Sequence, residues 1–258
     1  MTNEITIEQN DGLVTVSLNR PDKLNALTLD MRAELLAVFR RLDSDTSVRA
    51  ILLRSEGRAF CAGADVSSMG KDDIVGDRNR IMRAHQMILA IHNINKPVVC
   101  ALRGPAVGIG MSIALACDII VASQTAKMAL VFKKIGLAMD GGAAYFLSNQ
   151  LGRQRTIDLA YSARTVRADE ALSLGLVTQV HSDEEMDQAA QDYAVELAAG
   201  PTFAFAANKR MLRMAQSPSL EAFLEVEIMA QGQVVKSQDH GEGAKSFLEK
   251  RTPVFHGL

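Results

Sequence analysis

Short apolar segments rich in β-branched residues alternate with helical patterns along the first half of this chain. Four segments predict β-strands: Leu13–Asn19, Ala50–Arg54, Val98–Leu102 and Asp118–Ala122. The helical patterns between them repeat apolar residues every three or four positions: Met31, Leu35, Val38 and Leu42 after a predicted N-cap at Thr28, and Ile81, Ala84, Ile88 and Ile91. Alternating strands and helices predict an α/β fold.

The chain after about Glu184 has a different pattern, with long amphipathic stretches and no strand signal. The predicted helices are Asp187–Ala199, Thr202–Met214 and Leu220–Val235. Pro201 and Pro218 separate them, as expected for a residue that costs about 3 kcal/mol inside a helix. The carboxyl-terminal portion is therefore predicted to be helical.

Composition and charge narrow the class of protein. The 258 residues are 48% apolar, which is ample for a core, and 28 basic against 30 acidic residues leave a formal charge of −2. No block of like charge suggests a nucleic-acid or membrane partner. The amino terminus lacks the zones of a signal peptide, and the longest apolar run, Gly108–Ala122, is interrupted by Ser112 and Asp118. We therefore expect a cytoplasmic protein.

The cysteines and histidines predict no metal site. Cys61, Cys100 and Cys117 have spacings that fit neither a disulfide framework nor a zinc site, so we expect reduced core residues. His85 and His92 are seven residues apart and can share a helix face, but no carboxylate completes a ligand set. Packing or surface positions are the expectation for both histidines.

Two glycine-rich segments each follow an apolar run and can each offer an unpaired main-chain N–H. They are Phe60–Asp65, with the sequence FCAGAD, and Gly104–Gly110, with the sequence GPAVGIG. Two such donors could stabilise an oxyanion, an interaction worth about 3 kcal/mol for each donor in catalysis. The alternative is that they are tight packing turns. Neither segment has the spacing of a dinucleotide fingerprint, so no nicotinamide cofactor is expected.

Several motifs in order along the chain resemble the crotonase family, also called the enoyl-CoA hydratase/isomerase superfamily. The motifs are Asn19-Arg20-Pro21 with Asn25-Ala26-Leu27, Arg58 to Asp65, Lys96-Pro97-Val98 leading into Gly104 to Gly110, Ala116 to Ile119, Gly136-Leu137 with Asp140-Gly141-Gly142, Ala168 to Val177, and Phe247 to Phe255. Each motif is modest evidence. The ordered set is highly specific and covers nearly the whole chain.

The resemblance implies a fold and an assembly. The fold would be a spiral of repeated ββα units in residues 1–195, followed by helices in residues 196–258 that form a homotrimer or a dimer of trimers. The substrate class would be acyl-CoA thioesters, with coenzyme A as part of the substrate and no separate cofactor.

The resemblance also implies a set of binding residues. The N–H groups of Ala64 and Ile109 would form the oxyanion hole. The other implied substrate-binding residues are Arg20 and Lys23, which would lie near the nucleotide end of CoA, together with Ala26, Ala62, Gly63 and Gly110. The walls of the acyl pocket would come from variable segments such as Met69–Arg83, so the acyl group is left undetermined.

Departures from the family pattern indicate the reaction. The two glutamates of family hydratases align with Ser112 and Phe132, neither of which can exchange a proton at neutral pH. Asp140 aligns with the lone acid of family isomerases and is the predicted proton carrier. We therefore expect an enzyme that shifts a carbon–carbon double bond through an enolate.

Alternatives remain at this point. Asp140 precedes Gly-Gly-Ala-Ala and could instead be a helix N-cap, worth about 1 kcal/mol. Asp65 could contact a ligand, but a solvated turn or a bond to main-chain N–H groups is the expectation, and no catalytic role is predicted for it. Hydration through some unidentified group is a rival activity, and a catalytically silent acyl-CoA binding protein is a rival of another class. Two aligned relatives use an aspartate differently, as a nucleophile on an aromatic ring or in ring closure.

Overall fold

The structure, a computed structural model, describes residues 4–65, 74–215 and 218–258. The beginning of the predicted Met69–Arg83 pocket wall, residues 69–73, lies outside the described residues. The described strands are β1 Ile5–Asn10, β2 Leu13–Leu18, β3 Ala50–Ser55, β4 Val98–Leu102, β5 Pro105–Val107, β6 Ile119–Ser123, β7 Lys127–Ala129, β8 Thr165–Arg167 and β9 Gln179–His181. The described helices are α1 Leu29–Ser44, α2 Ile74–Asn93, α3 Ile109–Ala116, α4 Ala143–Ser162, α5 Ala168–Ser173, α6 Met186–Ala199, α7 Thr202–Met214, α8 Leu220–Val234 and α9 Gln238–Glu249.

The strands form two sheets. The larger has the order β1-β2-β3-β4-β6-β9 and is parallel from β2 onward, with β1 antiparallel at its edge. The smaller sheet has the order β5-β7-β8. All four predicted strands are present, each within one residue of the predicted ends. β1 and the short strands β5, β7, β8 and β9 carry too little alternation to be recognised from the sequence.

The central strands are buried on both faces, as is typical of parallel sheets covered by helices. On β3, Ile51 and Leu53 face one core, to which α1 and α2 also contribute. Ala50 and Leu52 face the second core, which α6 closes. Because side chains are buried on both faces, the sequences of these strands are continuous apolar runs.

The predicted helices are confirmed with small changes. Thr28 is the N-cap of α1, where its Oγ1 accepts a hydrogen bond of 3.1 Å from the Met31 N–H. On α2, Ala84, Ile88 and Ile91 of the predicted repeat are buried, whereas Ile81 is 41% exposed.

The carboxyl-terminal portion is helical, as predicted. No strand follows β9 in the described part of the chain. The predicted boundary between residues 195 and 196 lies inside α6, whose Ala198 still packs in the core, and the division into two domains stays a prediction. None of the described helices is long and apolar enough to span a membrane.

Candidate active site

The structure brings the two glycine-rich segments side by side. The Cys61 N–H donates to the Pro105 carbonyl at 3.0 Å, and the Val107 N–H donates to the Cys61 carbonyl at 2.9 Å. Gly110 makes this approach possible, because a Cβ there would lie 2.4 Å from the Cys61 carbonyl oxygen. Gly63 has φ +105, a conformation that favours glycine. The two segments are therefore packed too closely to tolerate larger residues.

Ala64 and Ile109 each present a main-chain N–H that donates no hydrogen bond to the described residues. The Leu27 N–H donates to the Gly63 carbonyl, and the Asp65 N–H donates to the Leu27 carbonyl. These two hydrogen bonds hold the segment in place but do not use the N–H of Ala64, which lies between them. Ile109 is the first residue of α3, where N–H groups have no partner within the helix. The predicted oxyanion donors are thus both available on adjacent segments.

Asp140 is anchored against α3 through its main chain. Its carbonyl accepts a hydrogen bond of 3.0 Å from the Ser112 hydroxyl. A Cβ on the following Gly141 would lie 2.9 Å from the Ser112 Cβ and 3.3 Å from the Ile109 Cγ1. The turn that carries the predicted proton carrier therefore rests on the same helical turn that offers the Ile109 amide.

The side chain of Asp140 does not cap a helix. The N-cap of α4 is Gly142, which has no side-chain capping bond, so the N-cap alternative for Asp140 is wrong. Instead the carboxyl group is partly buried, and its Oδ1 accepts no hydrogen bond from the described residues. A buried, unpartnered carboxylate oxygen is costly and is a common feature of functional sites.

Burial and the neighbouring basic residues act on this carboxyl group in opposite directions. Burial raises the pKa of Asp140 above its ordinary value of 3.8, and electrostatic interactions with Arg32, His85 and Arg80 oppose that rise. The net effect is a raised pKa of Asp140, because desolvation is the largest influence. A carboxyl group with a raised pKa is better matched to proton exchange near neutral pH than an ordinary one.

The raised pKa of Asp140 predicts a pH-dependent stability. Because the folded state binds this proton more tightly than the unfolded chain, stability falls as the pH rises from about the ordinary value of 3.8 through the raised pKa. Asp140→Asn should therefore gain stability over the wild type across that window and remain more stable at neutral pH. Urea unfolding at a series of pH values measures the difference, with Asp169→Asn at an exposed position of α5 as the control. A wild type more stable than Asp140→Asn at neutral pH would contradict the expectation.

Ser112 and Phe132 stand where the resemblance implies the glutamates of hydratases. Ser112 is fully buried, and its hydroxyl is used in positioning Asp140. Phe132 is 7% exposed, and its ring lies 3.7 Å from where a Cβ on Gly108 would be. Neither side chain can activate water, so the described residues at these two places supply no carboxylate.

Arg20 and Lys23, the residues predicted near the nucleotide end of CoA, have different surroundings. Arg20 forms ion pairs with Asp65 at 2.8 Å and Glu4 at 3.2 Å, so its charge is already engaged within the chain. Asp65 thus has an ion-pair role that its predicted place in a turn did not include. Lys23 is exposed, and Ala26 lies beside Arg20, which donates to its carbonyl at 3.0 Å. The substrate-binding roles of Arg20, Lys23 and Ala26 stay predictions.

The other side chains limit the chemistry of the site. Burial raises the pKa of the Cys61 thiol to about 12, which keeps it protonated and unsuited to nucleophilic attack. Cys100 and Cys117 are buried as well. No group of three or more metal-ligating side chains occurs among the residues that the structure describes.

Sequence reasoning missed the basic residues around Asp140. Arg32 on α1 is 7% exposed, although arginine is rarely buried. The sequence does contain a signal for this burial. Leu35 and Phe39 follow Arg32 by three and seven positions, so Arg32 shares the apolar, buried face of α1. His85 was expected only to pack or lie on the surface. It lines a cavity of about 520 Å³ together with Gly141 and Gly142, a cavity whose walls include neither Ala64 nor Ile109.

Comparison with known proteins finds relatives over nearly the whole chain. A family model described as Enoyl-CoA hydratase/isomerase matches residues 8–257. The 1,2-epoxyphenylacetyl-CoA isomerase of Escherichia coli (strain K12) is 34% identical over 250 residues, 95% of each chain. The 4-chlorobenzoyl coenzyme A dehalogenase-2 of Arthrobacter sp is 34% identical over 228 residues, 87% of this chain and 83% of that enzyme.

The crystal structure of an enoyl-CoA hydratase from Bacillus anthracis superposes with a TM-score of 0.94 at 27% identity, covering 99% of this chain and 100% of that one. This match confirms the predicted α/β fold class. The three relatives carry the names of three different reactions, so similarity alone does not select the reaction of this chain.

Proposed function

Because this chain belongs to the enoyl-CoA hydratase/isomerase family of acyl-CoA enzymes, we propose that it shifts a carbon–carbon double bond in an enoyl-CoA thioester. One observation carries the choice of reaction: among the described residues, Asp140 alone has a buried carboxyl oxygen without a hydrogen-bond partner, and its turn packs against Ile109. Isomerisation requires one proton carrier, whereas hydration by the two-carboxylate route requires two.

The proposed mechanism uses the main chain for the thioester and one side chain for the proton. The N–H groups of Ala64 and Ile109 would donate to the thioester carbonyl and stabilise the enolate that forms when a proton leaves C2. Asp140 would accept that proton and return it to C4, since negative charge in a dienolate is shared by both carbons. Ser112 would position Asp140 through its hydrogen bond to the main chain.

Supplying a thioester with a double bond at C3 tests this proposal. Incubation of 3-hexenoyl-CoA should increase the absorbance of the conjugated thioester, because the product has its double bond at C2. Crotonyl-CoA should keep its absorbance in water, because Ser112 and Phe132 cannot replace two glutamates. Loss of crotonyl-CoA absorbance without any 3-hexenoyl-CoA conversion would favour hydration. Calorimetric CoA binding without turnover of either substrate would favour a silent binding protein.

The assembly is part of the same proposal. Large apolar side chains are exposed on the last helices, among them Ile228 at 64%, Met229 at 70% and Phe247 at 83%. Burial of these side chains between subunits would support a homotrimer or a dimer of trimers, with residues 196–258 forming the contacts. Light scattering should give three or six times the chain mass of 27.9 kDa. Replacing Ile228 and Met229 by Ser should shift the mass toward one chain, and a wild-type monomer would refute the assembly.

A further inference from the structure

Arg32 is a buried cation that the proposed mechanism does not use. It projects from α1 at 7% exposure, and its Nε is buried without a hydrogen-bond acceptor among the described residues. A guanidinium nitrogen that is removed from water and has no acceptor carries a desolvation cost. A bound molecule that supplies an acceptor would remove that cost.

The position of Arg32 connects it to the candidate active site. Asp140 is the acid whose charge acts most strongly on Arg32, and Arg32 is the cation whose charge acts most strongly on Asp140. Arg32 therefore lies close enough to the proposed proton carrier for their charges to interact.

Arg32 and Asp140 do not form a direct pair. No ion pair within 4.0 Å joins them in the described part of the chain, although each has a buried polar atom without a partner. The neighbouring Arg80 pairs with Asp77 through its Nη2 at 2.5 Å, while its Nε, like that of Arg32, is buried without a partner within the described ranges. Two opposite charges that attract without forming a direct pair, each with one buried polar atom that lacks a partner, are suited to a polar group that binds beside them.

We propose that Arg32 determines specificity by donating a hydrogen bond to an uncharged oxygen on the acyl group of the substrate. This inference rests on the proposed function for the location of the acyl group. The oxygen is a hydroxyl or keto oxygen rather than a carboxylate, because the charge of Asp140 already balances Arg32 and would repel a second anion. Arg32 binds and does not exchange protons, since a guanidinium stays protonated at any working pH.

Saturated thioesters test the inference without requiring turnover. Dissociation constants are measured by calorimetry for hexanoyl-CoA, 4-oxohexanoyl-CoA, 5-oxohexanoyl-CoA, 6-hydroxyhexanoyl-CoA and adipoyl-CoA. At least one uncharged oxygenated thioester should bind about tenfold or more tightly than hexanoyl-CoA, the gain expected for a hydrogen bond to a charged group. Adipoyl-CoA, which carries a carboxylate, should bind less tightly than that thioester.

Variants locate the preference at Arg32. Arg32→Met should remove the preference while changing hexanoyl-CoA binding by less than about threefold, since the methionine packs where the stem of the arginine packed. Arg32→Gln, which keeps a donor and replaces the methionine variant if that does not fold, should retain a reduced preference. Arg40→Met, at an exposed position of the same helix, is the matched control and should bind like the wild type.

Three results would overturn the inference: no oxygenated thioester preferred by the wild type, adipoyl-CoA bound most tightly, or a preference that persists in Arg32→Met. The result is independent of the reaction. A preference for an oxygenated acyl group without conversion of 3-hexenoyl-CoA would refute the isomerase proposal and leave the specificity of Arg32 intact.

Discussion

Asp140→Asn is expected to reduce kcat for conversion of 3-hexenoyl-CoA by at least about 10²-fold, the usual contribution of a positioned general acid–base group. The asparagine side chain has nearly the same shape but cannot accept a proton from C2. KM should change little, because the thioester carbonyl would still be held by the amides of Ala64 and Ile109. Initial rates of absorbance increase, measured over a range of substrate concentrations, separate the two constants.

The control for Asp140→Asn is Asp169→Asn, which removes a carboxylate from an exposed position of α5 and should leave kcat unchanged. Exchange of substrate protons with deuterated water gives an independent readout, because it reports removal of the C2 proton even when the equilibrium is unfavourable. Full turnover and full exchange in Asp140→Asn would show that another group carries the proton.

Gly110→Ala is expected to reduce kcat by about 10²-fold, comparable to losing one oxyanion donor. The added Cβ would lie 2.4 Å from the Cys61 carbonyl oxygen and 2.9 Å from the Cys61 Sγ, so the first turn of α3 must move away from the Cys61 segment. That movement displaces the Ile109 N–H relative to the Ala64 N–H. Steady-state rates give the activity, and urea unfolding should show a loss of about 1–3 kcal/mol from overpacking.

Gly232→Ala is the matched control for this substitution. Gly232 lies in α8 with no atom within 4 Å of an added Cβ, so the same chemical change should leave kcat intact and stabilise the helix by up to about 1 kcal/mol. Binding of hexanoyl-CoA to Gly110→Ala separates a misplaced amide from a collapsed site, since the pocket should still bind the thioester. Wild-type kcat in Gly110→Ala would mean that the proposed donor pair does not depend on this close approach.

Much of the fold could be predicted because it is encoded locally. The apolar runs that contain Leu13, Ile51 and Val98 are buried on both sheet faces, and such runs are visible in the sequence. The Thr28 N-cap makes its hydrogen bond to the first turn of α1, only three residues away. Short strands such as Thr165–Arg167 were missed because three residues cannot display a period. The helix Gln238–Glu249, which Ser237 caps, was not predicted because Gly241 and Gly243 weaken its helical signal.

The sequence by itself determined the fold class, the two glycine-rich segments, and the identity of the one acid on the turn before Gly141. Those features depend on residue type and order alone. Only the tertiary structure decided that Ser112 holds the main chain of Asp140, that this carboxyl group is no helix cap, and that the charge of Arg32 on α1 acts on it. The physical reason is that hydrogen bonds, desolvation and charge act through space between residues far apart in sequence, such as Arg32 and Asp140, and no local pattern records which groups are buried together.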